Sequence, residues 1–333
     1  MSVKTEGSSN YEYVTARARS RRAKLFDDDD YRKLVRMGPG EIARFMEDSE
    51  YETEMNALGA RHSGVDLIEY ALNRNLSKHF DDLLTWADGS LYEYIANYLR
   101  KFDAWNIKTV IRGIYTDADR EDVEDDLIRT GEFAGRTLDR LVEATTIEDA
   151  IEALSGTIFG EPLEDAYEDF ESSDVLVPLE NAVDRAFFGH LLDDIGQPEP
   201  DTPTALYREF LEAEIDFRNL RNALRIARSG AEIDPAEYFI DGGQLFDTAE
   251  LGTLAANTDE LVTAIRESTY GDDLSKALDE LESATSLIGF EHALNTALLE
   301  YSEKLSNRYP LSICPVLSYI LAKEREVENI RAV

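Results

Sequence analysis

An acidic residue followed three positions later by an asparagine occurs three times in this sequence, each time on a segment with helical periodicity. The three pairs are Asp103 and Asn106, Asp216 and Asn219, and Glu326 and Asn329. On a helical wheel, the acid of the first pair lies at the centre of an apolar stripe, so its carboxylate is predicted to be buried. A buried carboxylate is costly unless it is paired or hydrogen-bonded. The pairs could therefore bind a ligand or form a structural polar tie to a neighbouring helix or an arginine, and their threefold recurrence favours the tie.

A second marker keeps a fixed distance from these pairs. Glu69, Glu180 and Glu291 lie 111 residues apart, and the Asn of the same copy follows 37, 39 and 38 residues later. Two markers that keep their order and separation three times indicate an internal repeat. A period this long gives each copy enough residues for a small core of its own. We therefore predict three helical lobes at residues 1–133, 134–246 and 247–333, with these glutamates among the polar ties.

The elements that position these residues are predicted to be helices throughout. In "NIKTVIRGI", Ile107, Val110, Ile111 and Ile114 have the i, i+3, i+4, i+7 spacing of one apolar helical face. Similar stripes surround each marker glutamate, and alternating strand patterns with hairpin dipeptides are hard to find. The expected fold class is all-α. The proline-rich "GQPEPDTPTA" falls between the two markers of the second copy and predicts a loop inside that lobe.

The charge of the chain excludes one class of partner. Its 333 residues include 69 acidic and 34 basic residues, for a formal net charge of −35, which disfavours binding to nucleic acid. No lysine lies between Lys108 and Lys276. Excess carboxylates with scarce lysine are typical of proteins from salt-loving organisms, where molar salt screens the self-repulsion. An acidic mesophilic protein is the alternative, and salt-dependent stability would separate the two.

The sequence contains none of the common catalytic or metal-binding motifs. It has no phosphate loop, nucleophile elbow, HExxH or CxxC pair, so we expect no catalytic site, no cofactor and no small-molecule substrate. His79 and His190 occupy equivalent helical positions and are interpreted as polar-tipped packing residues. The acidic runs at 27–30 and 120–127 lack calcium-loop geometry and indicate solvated surface rather than a metal site.

The strongly basic segment "ARARSRRAKL" is the main exception to the acidic surface. It places Arg17, Arg19, Arg21 and Arg22 on a predicted helix that begins near Tyr11. These arginines could face anionic headgroups or an acidic partner, or they could neutralise carboxylates of the same chain. The sequence alone leaves both possibilities open, and we treat the four arginines as a possible interface.

Sequence signals for export, disulfides and membrane spans are weak. Cys314 is the only cysteine and is expected to be a buried, inert thiol, which fits a reducing compartment. The apolar run "LSICPVLSYILA" is far shorter than the ~20 residues needed to cross a bilayer. The N-terminal residues lack the apolar core of a signal peptide. We therefore expect a soluble, intracellular protein.

Three segments together resemble one known family. "YEYVTARAR", "YLRKFDAWNIKTVIRG" and "FLEAEIDFRNLRNALR" are similar to the C subunit of archaeal A-type ATP synthases, which is related to the d subunit of the V-type ATPase. The order of the resemblance runs through the whole chain, and its acid excess suggests a haloarchaeal member. The third copy departs from the pattern because it carries Glu326 in place of Asp and is truncated after Ile330.

The resemblance implies a fold and a role. Members form an all-helical funnel of three similar lobes around a pseudo-threefold axis and carry no catalytic site. They sit on the cytoplasmic face of the membrane, peripherally, and link the membrane rotor ring to the central stalk, so that ion-driven rotation is coupled to ATP synthesis. A general helical adaptor with other partners is the alternative, and an unrecognised enzyme would need a pocket with converging ionisable groups.

Overall fold

The computed structural model describes residues 9–133, 135–200, 202–229, 238–283 and 288–333, and these residues form helices and no strand. The all-α prediction is thus confirmed. Contacts divide the chain into two compact units. Unit 1 contains residues 1–153 and 309–333, and unit 2 contains residues 154–308. The three lobe boundaries drawn from the repeat stay a prediction.

Unit 1 contains both the N-terminal helices and the last helix of the chain. Its helices are α1 (Tyr11–Arg22), α2 (Asp28–Leu34), α3 (Pro39–Glu47), α4 (Glu52–Leu58), α5 (Gly64–Trp86), α6 (Ser90–Leu99), α7 (Lys101–Thr116), α8 (Arg120–Asp125), α9 (Arg136–Glu143), α10 (Ile147–Ala153) and α18 (Cys314–Arg331). The basic segment forms α1, which begins at Tyr11 as predicted. The last helix, α18, packs against α1 and α5 within this unit.

The acidic run at 27–30 begins a helix. The Asp27 side chain accepts hydrogen bonds from the backbone N–H groups of Asp29 and Asp30, and the Asp30 side chain accepts one from the backbone N–H of Asp27. This reciprocal capping box satisfies N-terminal donors of α2, and negative charge is favourable at a helix N-terminus. The run therefore has a local structural role.

The core of unit 1 comes from the apolar stripes that the sequence predicted. Leu72, Leu76 and Phe80 of α5 and Ile107 and Ile111 of α7 are buried. The rings of Phe80 and Phe102 stack with centroids 5.2 Å apart. Burial of these side chains fixes which faces of α5 and α7 point inward, and thereby places Asp103 and Asn106 in the interior.

Unit 2 is built around one long helix. Its helices are α11 (Gly160–Ser173), α12 (Val177–Ile195), α13 (Pro203–Ser229), α14 (Thr248–Leu254), α15 (Thr258–Glu267), α16 (Gly271–Ser283) and α17 (Ile288–Arg308). One side of α13 contributes Phe217, Leu220 and Leu224 to an apolar cluster with residues of α14–α17 such as Leu261 and Leu274. The proline-rich stretch lies between α12 and α13, and Pro203 opens α13, where a missing N–H costs nothing.

Candidate functional site

The first polar tie joins α7 to the segment that follows α8. The two carboxylate oxygens of Asp103 each accept one backbone N–H, from Glu132 at 2.7 Å and from Phe133 at 3.0 Å. One turn away, the Asn106 side chain donates to the Ile128 carbonyl at 2.8 Å and accepts from the Ile128 N–H at 2.9 Å. The amide therefore pairs with one residue's backbone as a β-strand neighbour would. Asp103, Asn106 and Ile128 are all buried.

The second polar tie has the same plan in unit 2. Asn219 donates to the Ile240 carbonyl at 2.8 Å and accepts from the Ile240 N–H at 2.9 Å. Asp216 accepts the backbone N–H groups of Gln244 at 2.9 Å and Leu245 at 3.1 Å, both on Oδ1. Its other oxygen, Oδ2, is buried and has no hydrogen-bond partner within the described residues.

Burial sets the protonation behaviour of both acids. Burial raises the pKa of Asp103 to about 7, against the opposing effect of its two backbone N–H donors. It raises the pKa of Asp216 to about 6, again against two backbone donors. Desolvation disfavours the charged form of a carboxylate, and hydrogen bonds to that form only partly compensate. Each tie therefore holds a charge at a cost in stability near neutral pH.

The partners of these ties differ from the sequence expectation. We expected the acid and the asparagine to bond a neighbouring marker helix or an arginine, but in the first two copies they bond the backbone of a downstream segment. The reason is physical: a segment without regular structure leaves backbone donors and acceptors that must be satisfied when buried. A carboxylate and an amide on an adjacent helix satisfy them.

In each of these two ties a glycine lies against the aspartate carboxylate, and the sequence prediction did not include it. A Cβ atom at Gly131 would lie 2.5 Å from Asp103 Oδ1, and one at Gly243 would lie 2.3 Å from Asp216 Oδ1. Gly131 also has φ of +112°, which L-residues rarely adopt. The signal was present, because "IRTGE" at 128–132 and "IDGGQ" at 240–244 share an isoleucine and a glycine three residues later.

The third tie uses the N-terminal part of the chain. Glu326 on α18 accepts the backbone N–H of Phe26 at 2.6 Å on Oε2. Its Oε1 accepts the Tyr51 hydroxyl at 2.8 Å and the Lys323 ammonium at 2.7 Å. The Asn329 side chain hydrogen-bonds Tyr31, which precedes Tyr51 in the same N-terminal region.

A fully buried lysine distinguishes this third tie. Lys323 has 0% relative exposure, donates to the Tyr51 hydroxyl at 2.9 Å and pairs with Glu326. Burial lowers its pKa, and the neighbouring Glu326 carboxylate opposes that shift. Beside it, His79 bonds the Tyr319 hydroxyl, and burial lowers the histidine pKa to about 2. His79 is thus a hydrogen-bonded packing residue, as the sequence suggested.

Two of the marker glutamates bond an arginine of another marker helix in their own unit. In unit 1, Arg331 of α18 donates to Glu69 of α5 at 2.8 Å, and to Asn73 one turn further at 2.6 Å. In unit 2, Arg225 of α13 donates to Glu291 of α17 at 2.6 Å. In both units the arginine belongs to the helix that carries the acid and asparagine of one copy, and the glutamate is the marker glutamate of another copy. Glu180 lies partly buried on α12.

The four N-terminal arginines have different surroundings. Arg21 pairs with Asp82, and Arg22 bonds the Ser318 hydroxyl of α18, so these two contribute to internal packing. Arg17 and Arg19 are exposed on α1. The Arg17 guanidinium carbon lies over two rings, 4.6 Å from the centroid of Tyr13 and 4.7 Å from that of Trp86.

The described residues contain neither a metal-binding cluster nor a membrane-spanning helix. Within the described ranges, no group of three or more His, Cys, Asp or Glu side chains is arranged to hold a metal ion. No described helix combines the length and apolarity needed to cross a bilayer. Cys314 is buried at the start of α18. Hydrogen bonds join the repeated acids and asparagines to other segments of their own unit, and the exposed candidate residues are the arginines Arg17 and Arg19 of α1.

Comparison with known proteins identifies the family. Residues 14–333 match the family model described as ATP synthase (C/AC39) subunit, and the chain belongs to this family. It is 65% identical over 331 residues to the C subunit of the A-type ATP synthase of Haloferax volcanii, with 99% of this chain and 94% of the relative covered. The corresponding protein of Halobacterium salinarum is 58% identical over 334 residues, with the same coverage.

A more distant relative extends the match beyond haloarchaea. The C subunit of the A-type ATP synthase of Methanococcoides burtonii is 35% identical over 335 residues, covering 100% of this chain and 92% of that protein. The family predicted from the three sequence segments, its haloarchaeal character and its status as a non-catalytic subunit of a rotary enzyme are thus confirmed.

Proposed function

We propose that this chain links the membrane rotor ring to the central stalk of an A-type ATP synthase, so that ion-driven rotation of the ring drives ATP synthesis. In this role it binds the cytoplasmic face of the ring as a peripheral subunit. Its partners are the ring and the central stalk subunits. Family membership supports the proposal, since every relative compared above is named as the C subunit of this synthase.

The observation that carries the mechanical part of the proposal is the recurrence of one buried tie in all three copies. A coupler of rotation must be stiff in twist, and stiffness needs close-packed helices whose connecting segments are fixed. In the first two copies a helix fixes a downstream segment through paired amide and carboxylate contacts. In the third, α18 fixes residues near Phe26 and Tyr51 instead.

The change of tie partner in the third copy also supports an arrangement in which the third copy lies next to the first. The third acid binds a segment near the N-terminus, which takes the place that a downstream segment has in the first two copies. The arginine-glutamate contacts of both units likewise join the helix that carries the acid and asparagine of one copy to the helix that carries the marker glutamate of another. Both relations are those expected if three similar lobes surround a pseudo-threefold axis in a funnel-like arrangement.

The test is reconstitution in molar KCl from purified parts. The detergent-solubilised rotor ring and the central stalk subunits are mixed with this chain, without it, and with an unrelated protein of similar size and net charge. We expect ring and stalk to co-migrate only when this chain is present. If they associate equally well without it, or if the folded chain binds neither, the coupling role is wrong and a helical adaptor with other partners becomes the better hypothesis.

A further inference from the structure

Two arginines and two aromatic rings lie together where α1 packs against the end of α5. Arg17 lies over the rings of both Tyr13 and Trp86, and Arg21 lies over Trp86 with its guanidinium carbon 4.4 Å from the ring centroid. We call Tyr13, Arg17, Trp86 and Arg21 the stacked ladder. Each guanidinium-ring contact is favourable, because the ring face carries partial negative charge.

Packing on the other side of α1 holds the ladder in place. Val14, Thr15 and Ala18 of α1 are buried, so the face that carries Tyr13 and Arg17 points to the surface. Asn10, just before α1, donates to the Trp86 carbonyl at 2.7 Å. Arg21 is further fixed by Asp82. The orientation of the Arg17 guanidinium is therefore set before any partner arrives, which reduces the entropy lost on binding.

The exposed end of the ladder carries an arginine that forms no ion pair with a described residue. Arg17 is exposed, Tyr13 is 48% exposed, and no carboxylate within the described residues pairs with Arg17. The chain has 69 acidic residues against 34 basic ones, so an internal partner would be easy to supply. The Arg17 guanidinium is exposed beside the two rings, and the N–H groups of a guanidinium match a carboxylate in a bidentate pair.

The surroundings of the ladder favour a single carboxylate over an extended anionic surface. Asp88 follows Trp86 closely and is held by Asn10 at 3.2 Å, while Asp82 lies on Arg21. A layer of lipid headgroups would meet these carboxylates together with Arg17, and like charges would repel. A single acidic side chain brings one negative charge and is therefore repelled less than an extended anionic layer.

We infer that the stacked ladder is a docking surface for an acidic segment of a protein subunit, which places a carboxylate on Arg17 and apolar atoms on the Tyr13 ring. The inference rests on the proposed function, because the partner is taken to be a rotor subunit of the synthase. Such a contact keeps its short-range part in molar salt, where the Debye length is only about 3 Å and long-range attraction is lost.

The experiment measures association of the full-length chain with the purified rotor ring and central stalk subunits in molar KCl. Arg17→Gln and Tyr13→Ala are compared with Arg44→Gln, which removes an exposed arginine of α3 in the same unit. We expect Arg17→Gln to weaken association at least about tenfold and Tyr13→Ala several-fold, with Arg44→Gln unchanged. Melting temperatures within about 3 °C of the parent would show that each variant is folded.

Three results would overturn the inference, and they are distinguishable. If the parent chain joins ring and stalk and Arg17→Gln does so equally well, the ladder is not a docking surface although the coupling role stands. If Arg17→Gln instead lowers binding to phosphatidylglycerol vesicles and leaves protein association intact, the ladder faces lipid. If the parent chain joins neither protein, the coupling role and the docking surface fail together.

Discussion

The ties at Asp103 and Asp216 have the same amide geometry but use their carboxylates differently. In both, the asparagine exchanges two hydrogen bonds with one isoleucine backbone at 2.8 and 2.9 Å. Asp103 uses both oxygens, whereas Asp216 accepts both donors on Oδ1 and leaves Oδ2 without a partner in the described residues. The comparison indicates that the amide fixes the position of the segment, while the acid satisfies whichever donors that position brings.

The third tie departs further from the other two, and its loss should cost most. Glu326→Ala would leave the Lys323 ammonium buried without a counter-charge and the Phe26 N–H without an acceptor. We expect the free energy of unfolding to fall by about 3–5 kcal/mol, measured by denaturant titration at fixed KCl. The exposed Glu328→Ala on the same helix is the control and should change it by about 0.5 kcal/mol or less.

A double variant sharpens this prediction. Replacing Lys323 with Met and Glu326 with Leu removes both charges together, and part of the lost stability should return because no buried charge is left unpaired. The Phe26 N–H and the Tyr51 hydroxyl still lack their partners, so recovery should be incomplete. Equal stability of Glu326→Ala and Glu328→Ala would show that the third tie is not a stabilising contact.

The glycines of the first and second ties should respond unequally. Gly131→Ala must place a Cβ atom against Asp103 Oδ1 in a backbone with φ of +112°, so we expect a loss of about 2–3 kcal/mol. Gly243→Ala meets the same kind of oxygen but at an ordinary φ, and a shift of the Asp216 side chain should limit the loss to about 1 kcal/mol. Denaturant midpoints of the two variants test this order, which a larger loss in Gly243→Ala would contradict.

The acid of the second tie can be tested against an exposed acid. Asp216→Ala would leave the backbone N–H groups of Gln244 and Leu245 without their acceptor, and we expect a loss of about 2 kcal/mol. Asp28, at the exposed start of α2, should lose about 0.5 kcal/mol or less on the same replacement. Identical melting temperatures for the two variants in molar salt would refute the structural role of Asp216.

The smallest predicted effect is a difference in pH dependence between the first two ties. A carboxylate with a raised folded-state pKa adds stability that is complete below the unfolded pKa and is lost as pH rises through the folded value. That value is about 7 for Asp103 and about 6 for Asp216. When pH is lowered from 8 to 5.5, Asp103 should raise the free energy of unfolding by an amount on the order of 1–2 kcal/mol, and Asp216 should raise it by less than about 1 kcal/mol. The Asp103→Asn and Asp216→Asn variants should each lack the corresponding increase.

The comparison must be made between variants. Burial lowers the pKa of His79 to about 2, so the folded protein loses stability as pH falls below the ordinary histidine pKa. In the parent chain this effect opposes the stability gained from the two acids. Denaturant titrations of both Asn variants at the two pH values isolate each contribution. A larger change in Asp216→Asn than in Asp103→Asn would show that the unpartnered oxygen, and not overall burial, controls the cost.

Sequence periodicity was sufficient to locate the helices and the buried acids, because the stripes around Ile107 and Leu220 have helical spacing. It could not supply the partners of those acids. The backbone donors lie on segments with no apolar periodicity, 28 to 30 residues beyond each aspartate. The donor to Glu326 lies 300 residues away, where no local pattern points to it. The glycine shared by the two segments is the sequence feature that could have indicated these partners, and it can be recognised only after the two segments have been aligned.

The span of that last contact has a consequence for synthesis of the protein. Unit 1 needs α18 to cover α1 and α5, yet α18 is made after all the other helices described above. At roughly 5–20 residues per second, the ribosome needs about 15–60 s to pass from Phe26 to Glu326. During that interval α1 lacks its contacts with α18. Unit 2 is complete in sequence earlier, so we expect it to fold before unit 1, which cannot close until α18 has been made.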